Sequence, residues 1–320
     1  MKITIATPAP VGSRKGNRIT AVRWARLLRE LGHRVRLMNS DDKPIGDLLI
    51  ALHAHKSAAA VFHFRARFPQ RPIVLALTGT DLYSDLHTSV AAQQALQLAD
   101  RLLLLQSHGI NELPSQVRDR ARVIYQSVRK PNWQVSPHPD RFDVCVVGHL
   151  RPVKDPFRTA EAARLLPAHS RLRVWHLGAA LSDDMAELAR FHEANNPRYR
   201  WLGELPRSRT LRRMARSRLL VLTSQLEGGA NVISEAVVLG VPVLSSRISG
   251  SLGLLGEDYP GYFPVGDTRE LANLLLRAET DSSFLADLSQ RCRQLADRFH
   301  PSEEKRRWQE LLAELSGPPP

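Results

Sequence analysis

The run Leu219-Leu220-Val221-Leu222-Thr223-Ser224-Gln225-Leu226-Glu227-Gly228-Gly229-Ala230-Asn231-Val232-Ile233-Ser234-Glu235-Ala236, followed by Leu239-Gly240-Val241-Pro242-Val243, sets the reading of the whole chain. An apolar run is a strand, and the Gly-Gly pair after it turns the backbone into a helix that Gly240 ends before the next strand begins. Strand, helix and strand in that order require a right-handed crossover and a parallel sheet. The two glycines let backbone amides approach a ligand closely, and the positive end of the helix they open favours an anion. Glu227 and Glu235 stand eight positions apart. Alone, such a pair is explained by a solvated loop residue and a helix-start acid that favours the dipole. Set between a strand end and a Gly-Gly helix start, it marks a ligand site.

The same rhythm extends outward in both directions. Towards the amino terminus, strands are predicted at 2–7, 34–38, 48–52, 72–77, 101–106 and 122–126, and in the second half at 143–147, 172–177, 200–202, 219–223, 241–245 and 262–265. The clearest helix spans 17–31, where Trp24, Leu27, Leu28 and Leu31 share one face and Gly32 follows as the stop. Between Arg129 and Arg141 periodicity lapses in a segment with three prolines, which reads as a linker. The fold class is therefore α/β, with two Rossmann-like doubly wound domains, 1–135 and 136–300, expected to face each other across a cleft. A closing helix at 302–315 carries Trp308, Leu311, Leu312 and Leu315 at helical spacing, an apolar face that needs a partner within the chain or in an oligomer. In open parallel sheets, ligands sit beyond the carboxyl ends of the strands, so the loops there are where chemistry is to be sought.

Composition narrows the classes. A chain of 320 residues, 43% hydrophobic and 24% charged, is globular and long enough for a core without staples. Two cysteines, Cys145 and Cys292, are too few for a disulfide framework or a thiolate metal centre. No apolar run approaches a membrane span, and the start reads as a strand and not a signal peptide, so a soluble, cytoplasmic protein with no membrane partner is expected. The formal net charge of +13 favours anionic ligands: nucleic acid, acidic membranes or phosphorylated small molecules. Aromatic residues, at 6%, are too sparse for a base-stacking platform.

The segment with the two glutamates resembles the Glu-x7-Glu signature of the GT-B glycosyltransferases of the family-4 type, which transfer sugars from nucleotide donors. The resemblance continues through Val147-Gly148-His149-Leu150-Arg151-Pro152-Val153-Lys154-Asp155, His176-Leu177-Gly178 and Trp201-Leu202-Gly203-Glu204-Leu205, spanning most of 143–265. It implies that Arg151 and Lys154 clamp the donor diphosphate and that Glu235 accepts the ribose hydroxyls. Glu227 and the backbone of Gly228, Gly229, Ala230 and Asn231 would hold the transferred sugar, and the turn near Leu205 would meet the base. Gly148 and Gly178 complete the donor set, and Arg151, Lys154 and Glu227 are the catalytic candidates. Cations and oriented amides aimed at a departing diphosphate lower the barrier, so no metal or other cofactor is called for. The bland alternative for Arg151 and Lys154 is a pair of exposed loop cations.

The first half addresses the acceptor. The loop 8–18 carries Arg14, Lys15 and Arg18, with Gly16 and Asn17 at a helix start, an arrangement suited to an anion or to plain solvation. His53, His55 and Lys56 follow the third strand. Zinc is not expected there without further ligands, and satisfied or surface histidines are as reasonable as catalytic ones. Thr80 and Asp81, after the fourth strand, could contact hydroxyls or simply cap a turn. Thr7–Ala25 together with Leu77-Thr78-Gly79-Thr80-Asp81-Leu82-Tyr83 is similar to the selenosugar synthase family of selenoneine biosynthesis. That resemblance implies selenophosphate and UDP-N-acetylglucosamine as substrates, giving a selenosugar, UDP and phosphate. An already anionic selenium nucleophile fits the lack of an evident catalytic base.

Two other readings stand beside it. One is a family-4-type transferase with a hydroxyl acceptor. The other is a noncatalytic nucleic-acid binder, for which Arg209, Arg212, Arg213 and Arg216 on one helix face would track phosphates. Such a stripe is more often a solvated face, and no nucleic-acid partner is expected.

Overall fold

The computed structural model describes residues 1–13, 16–79 and 81–316. The chain separates into two compact units, Met1–Ser127 with the segment that begins at His300, and Val128–Phe299. The change of unit falls at Ser127, ahead of the proline-rich segment. There the Ser127 amide donates to the Glu304 carboxylate at 2.8 Å, whereas the next amide, Val128, donates to Phe299 at 2.9 Å.

The first unit holds β1 (Lys2–Thr7), α1 (Gly16–Glu30), β2 (Arg34–Asn39), β3 (Leu48–Leu52), α2 (Ala58–Arg67), β4 (Ile73–Leu77), α3 (Leu86–Thr88), α4 (Val90–Leu98), β5 (Arg101–Leu104) and β6 (Ala121–Val123). Its sheet runs β2-β1-β3-β4-β5-β6, every pair parallel. Both faces of the central strands are covered, so β3 and β4 read as unbroken apolar runs, whereas the edge strand β2 alternates. The pleat divides β3 between the two faces. Leu48, Ile50 and Leu52 pack with Trp24 and Leu28 of α1, while Leu49 and Ala51 pack with Val61 and Phe64 of α2.

The second unit holds β7 (Phe142–Val147), α5 (Arg158–Arg164), β8 (Leu172–Leu177), α6 (Asp183–Asn195), β9 (Tyr199–Trp201), α7 (Arg207–Ala215), β10 (Leu219–Leu222), α8 (Asn231–Leu239), β11 (Val243–Ser246), α9 (Ser249–Leu255), β12 (Tyr262–Phe263), α10 (Thr268–Thr280) and α11 (Ser282–Leu295). The sheet order is β12-β11-β10-β7-β8-β9, again parallel. From β7 the chain winds outward to β9, then returns to lay β10 on the other side of β7 and winds outward again to β12. The winding direction reverses between β7 and β10, where a crevice opens at the strand ends.

Prolines account for two differences from the predicted strands. β11 begins at Val243 and not Val241 because Pro242 has no N–H for the ladder, and β12 stops at Phe263 because Pro264 follows. The closing helix α12 (Pro301–Ser316) belongs to the first unit, where Trp308, Leu311 and Leu312 enter the core that α1 covers. Trp24 and Trp308 meet edge to face, with ring centroids 5.2 Å apart. Among the described residues, no helix is long and apolar enough to cross a membrane.

Candidate active site

The loops after β7 and β10 carry the signature residues, and β7 and β10 are the strands that flank the reversal point of the second unit. The two loops are bound together along their backbones. Gln225 N–H donates to Val153 O at 2.9 Å, and the Thr223 hydroxyl lies 2.9 Å from the carbonyls of both Lys154 and Asp155. Across this seam the Lys154 ammonium pairs with Glu227 Oε1, which also accepts from Ser224 Oγ at 2.7 Å. Lys154 and Glu227 are thus one ion pair, with the lysine half-buried. Arg151 lies three residues earlier in the same loop, exposed, on extended backbone at the start of a single 3-10 turn.

Gly228, Gly229 and Ala230 lead into α8, whose first residue is Asn231 and which has no side-chain cap. This helix start follows the Gly-Gly pair directly, and its dipole favours an anion there. Glu235, one turn further along, is 8% exposed. Its Oε1 accepts from Arg207 Nη1 at 2.7 Å. Arg207 opens α7, directly after the half-buried Leu205 and Pro206.

The wall beside β8 is fixed by a buried histidine. His176 Nε2 lies 3.3 Å from the Gly148 carbonyl, which can only accept, so Nε2 carries the proton and Nδ1 accepts from the Tyr199 hydroxyl at 2.9 Å. Burial lowers the His176 pKa to about 4, only partly opposed by the bond to Gly148, and the ring is neutral at pH 7. Gly178 meets the same carbonyl. A Cβ there would lie 1.8 Å from Gly148 O, so only glycine lets the β7 and β8 loops touch.

In the first unit the reversal point lies between β1 and β3; of the acceptor candidates, Gly16 and Asn17 follow β1, His53, His55 and Lys56 follow β3, and Asp81 follows β4. Gly16 and Asn17 open α1, while Arg14, Lys15 and Thr80 lie outside the described residues. His53 is 3% exposed and has left-handed backbone at φ 76°, a conformation seldom kept by a side-chain-bearing residue without a local reason. Its Nε2 is 3.8 Å from Asp85 Oδ2. Burial pushes its pKa down, against the opposing pull of Asp81 and Asp85. His55 is exposed and pairs with Ser89 Oγ at 2.7 Å, and Lys56 is exposed beside it. Asp81 is fully buried, and its carboxylate accepts backbone N–H from Gly79 at 2.7 Å, Ala54 at 3.0 Å and Thr78 at 3.2 Å. It thereby ties together the loops after β3 and β4.

Lys154, Glu227, the start of α8 and Glu235 therefore gather in one unit, and His53, His55, Lys56 and Asp81 in the other. The sequence reading missed Arg207, Ser224, His176 and Gly250. A Cβ on Gly250 would lie 2.2 Å from Glu227 O, so α9 backs directly onto the Glu227 backbone. A cation in the first turn of a helix, as at Arg207, was the one available signal. The arginine stripe divides. Arg213 stacks 3.5 Å above Trp175, Arg212 lies 5.7 Å from Trp133, and Arg209, Arg212 and Arg216 face solvent.

Comparison with known proteins gives this α/β unit, with its Gly-Gly helix start and two glutamates beside the reversal point, to a sugar-transferring family. The family model of the glycosyl transferases group 1 matches residues 129–296. Among solved structures, HepE of Anabaena in complex with UDP is 18% identical, with TM-score 0.77 over 98% of this chain and 100% of that one. Its UDP-glucose complex gives 0.76 at 19% identity with the same coverage. The sucrose-phosphate synthase of Thermosynechococcus elongatus gives 0.78 at 15% identity, covering 98% of each chain. No curated protein matches the sequence. The fold is that of the GT-B glycosyltransferases, and the chain belongs to the glycosyl transferases group 1 family.

Proposed function

We propose that the protein transfers N-acetylglucosamine from its UDP conjugate to the selenium of selenophosphate. The observation that carries the donor half is the convergence of Lys154, Glu227, the uncapped start of α8 and Glu235 at the β7–β10 reversal point. The diphosphate takes its charge complement from Arg151, Lys154 and the α8 amides, the ribose hydroxyls donate to Glu235, and Glu227 faces the sugar. This set requires no metal. HepE, of the same fold, is described in complex with UDP and with UDP-glucose, which supports a uridine donor.

The acceptor half rests on the resemblance of the amino-terminal segment to selenosugar synthases and on the basic character of the loop after β1. Selenium attacks the anomeric carbon, the bond from that carbon to the diphosphate oxygen breaks, and UDP leaves with the electron pair. Water then cleaves the P–Se bond, releasing phosphate and the selenol sugar. Lys154 and Arg151 act where negative charge accumulates on the leaving group, the place where a preorganised cation contributes most.

The test is a matrix of nucleotide sugars against selenophosphate, thiophosphate and simple alcohols under anaerobic conditions, read by mass spectrometry. A selenium-bearing N-acetylhexosamine together with UDP is the expected product. Product only with alcohols would replace this reading by a hydroxyl acceptor. Salt-steep RNA or DNA binding with no nucleotide-sugar turnover would replace it by nucleic-acid binding.

A further inference from the structure

We propose that Arg207 is the positioning residue for the donor's ribose, holding the Glu235 carboxylate oriented for a vicinal diol. The inference rests on the reading of Glu235 as the ribose acceptor and adds a residue that the signature does not contain.

Glu235 is buried and Arg207 is half-exposed, so the guanidinium covers the open side of an acid that α8 has drawn out of water. An isolated buried carboxylate is costly to keep charged, and a fixed cation at hydrogen-bond distance removes most of that cost. Arg207 gains nothing from its own helix. It is the first residue of α7, where the dipole opposes a cation, and no acid stands in that turn to offset it. Its place is explained by the neighbour that α7 packs against, which is α8.

Arg207 engages Oε1. A carboxylate offers about four acceptor sites, so a guanidinium bond does not by itself exclude a diol. The same design appears at the other glutamate, where Lys154 from the β7 loop pairs with Glu227. Each acid of the signature thus takes its cation from a different element. Arg207 also follows the turn at Leu205, which puts a planar donor next to the segment assigned to the base.

The test is calorimetry of UDP and 2′-deoxy-UDP with the full-length wild type, Arg207→Met and Arg207→Lys, each checked for an unchanged unfolding midpoint, together with donor kinetics. The wild type should bind UDP at least about tenfold more tightly than 2′-deoxy-UDP, the size expected for one charge-assisted hydrogen bond. Arg207→Met should lose that preference, with UDP weakened about tenfold, 2′-deoxy-UDP little changed and the donor KM raised at nearly constant kcat. Arg207→Lys should restore part of the preference. If Arg207→Met keeps the wild-type preference, or loses affinity for both nucleotides equally, the positioning role is wrong. If Arg207→Met does not fold, Arg207→Lys decides: an unaltered preference there, with a flexible point charge in place of the planar fork, overturns the proposal. A wild type that binds UDP without regard to the 2′-hydroxyl removes the ribose role of Glu235 and this inference with it. One that does not bind UDP at all removes the donor reading itself.

Discussion

Glu227 is held from three sides: Lys154 pairs with its carboxylate, Ser224 donates to the same oxygen, and Gly250 lies against its backbone. That third contact is the least forgiving, because a carbonyl cannot rotate aside as a side chain can. Gly250→Ala would place a methyl carbon 2.2 Å from Glu227 O, so the loop must shift. A displacement on the order of 1 Å at a catalytic group costs about a hundredfold in rate. Steady-state assays of Gly250→Ala should show turnover reduced by roughly 10- to 100-fold, with overall stability lowered by about 1–3 kcal/mol. His176 supplies a second test at this scale. Its folded pKa of about 4 lies below the ordinary 6.5, so between these values the unfolded chain holds more protons. The stabilisation is complete above pH 6.5 and is lost as pH falls towards 4, amounting to roughly 3 kcal/mol at the lower end. Denaturant melts at pH 7 and pH 4.5 should show a smaller loss for His176→Gln than for the wild type. Glu227 and Glu235 stood out in the sequence because a strand end, a Gly-Gly helix start and a spacing of eight are local facts, whereas Lys154 was singled out only by the resemblance of its loop to the family-4 pattern. Arg207 and Gly250 were not, because each acquires meaning only from a partner on another element.

At the scale of the element, α12 shows how a distant segment completes a core. Trp308 packs on Trp24, and the buried Glu304 accepts from Trp24 Nε1 at 2.9 Å, Arg23 Nε at 3.3 Å and Ser127 N at 2.8 Å. One carboxylate thereby ties α12 to α1 and to Ser127, where the first segment of that unit ends. Trp308→Ala should cost about 3–5 kcal/mol, read as an early unfolding transition of the first unit in calorimetry or tryptophan fluorescence, because a large cavity opens in a core with few ways to collapse. An unchanged melting curve would mean that α12 is only loosely docked. The apolar spacing of this helix was readable in advance, whereas the buried acid was not. Nothing in Ser302-Glu303-Glu304-Lys305 distinguishes Glu304 from its exposed neighbour Glu303, which pairs with Arg306 and Arg307 instead.

At the scale of the whole molecule, the sheet of each unit reverses its winding direction beside candidate residues, and the chain carries a formal charge of +13. A positive field raises the local concentration of anionic substrates and weakens as salt screens it. The apparent KM for the nucleotide sugar and for the acceptor should rise several-fold between about 20 mM and about 500 mM salt while kcat changes less, as initial rates would show. A flat response would confine the charge to local pairs such as Arg306 with Glu303 and Arg65 with Asp100. The alternation of apolar runs with amphipathic helices was enough to require two parallel α/β units, since strand periodicity and crossover handedness are properties of the chain and its neighbours. The order in which the strands pair, the burial of His53, Glu235 and Glu304, and the assignment of each cation to its acid arose only on folding. Those depend on packing between segments far apart in the chain, and a one-dimensional pattern does not encode the distances on which charge and close contact act.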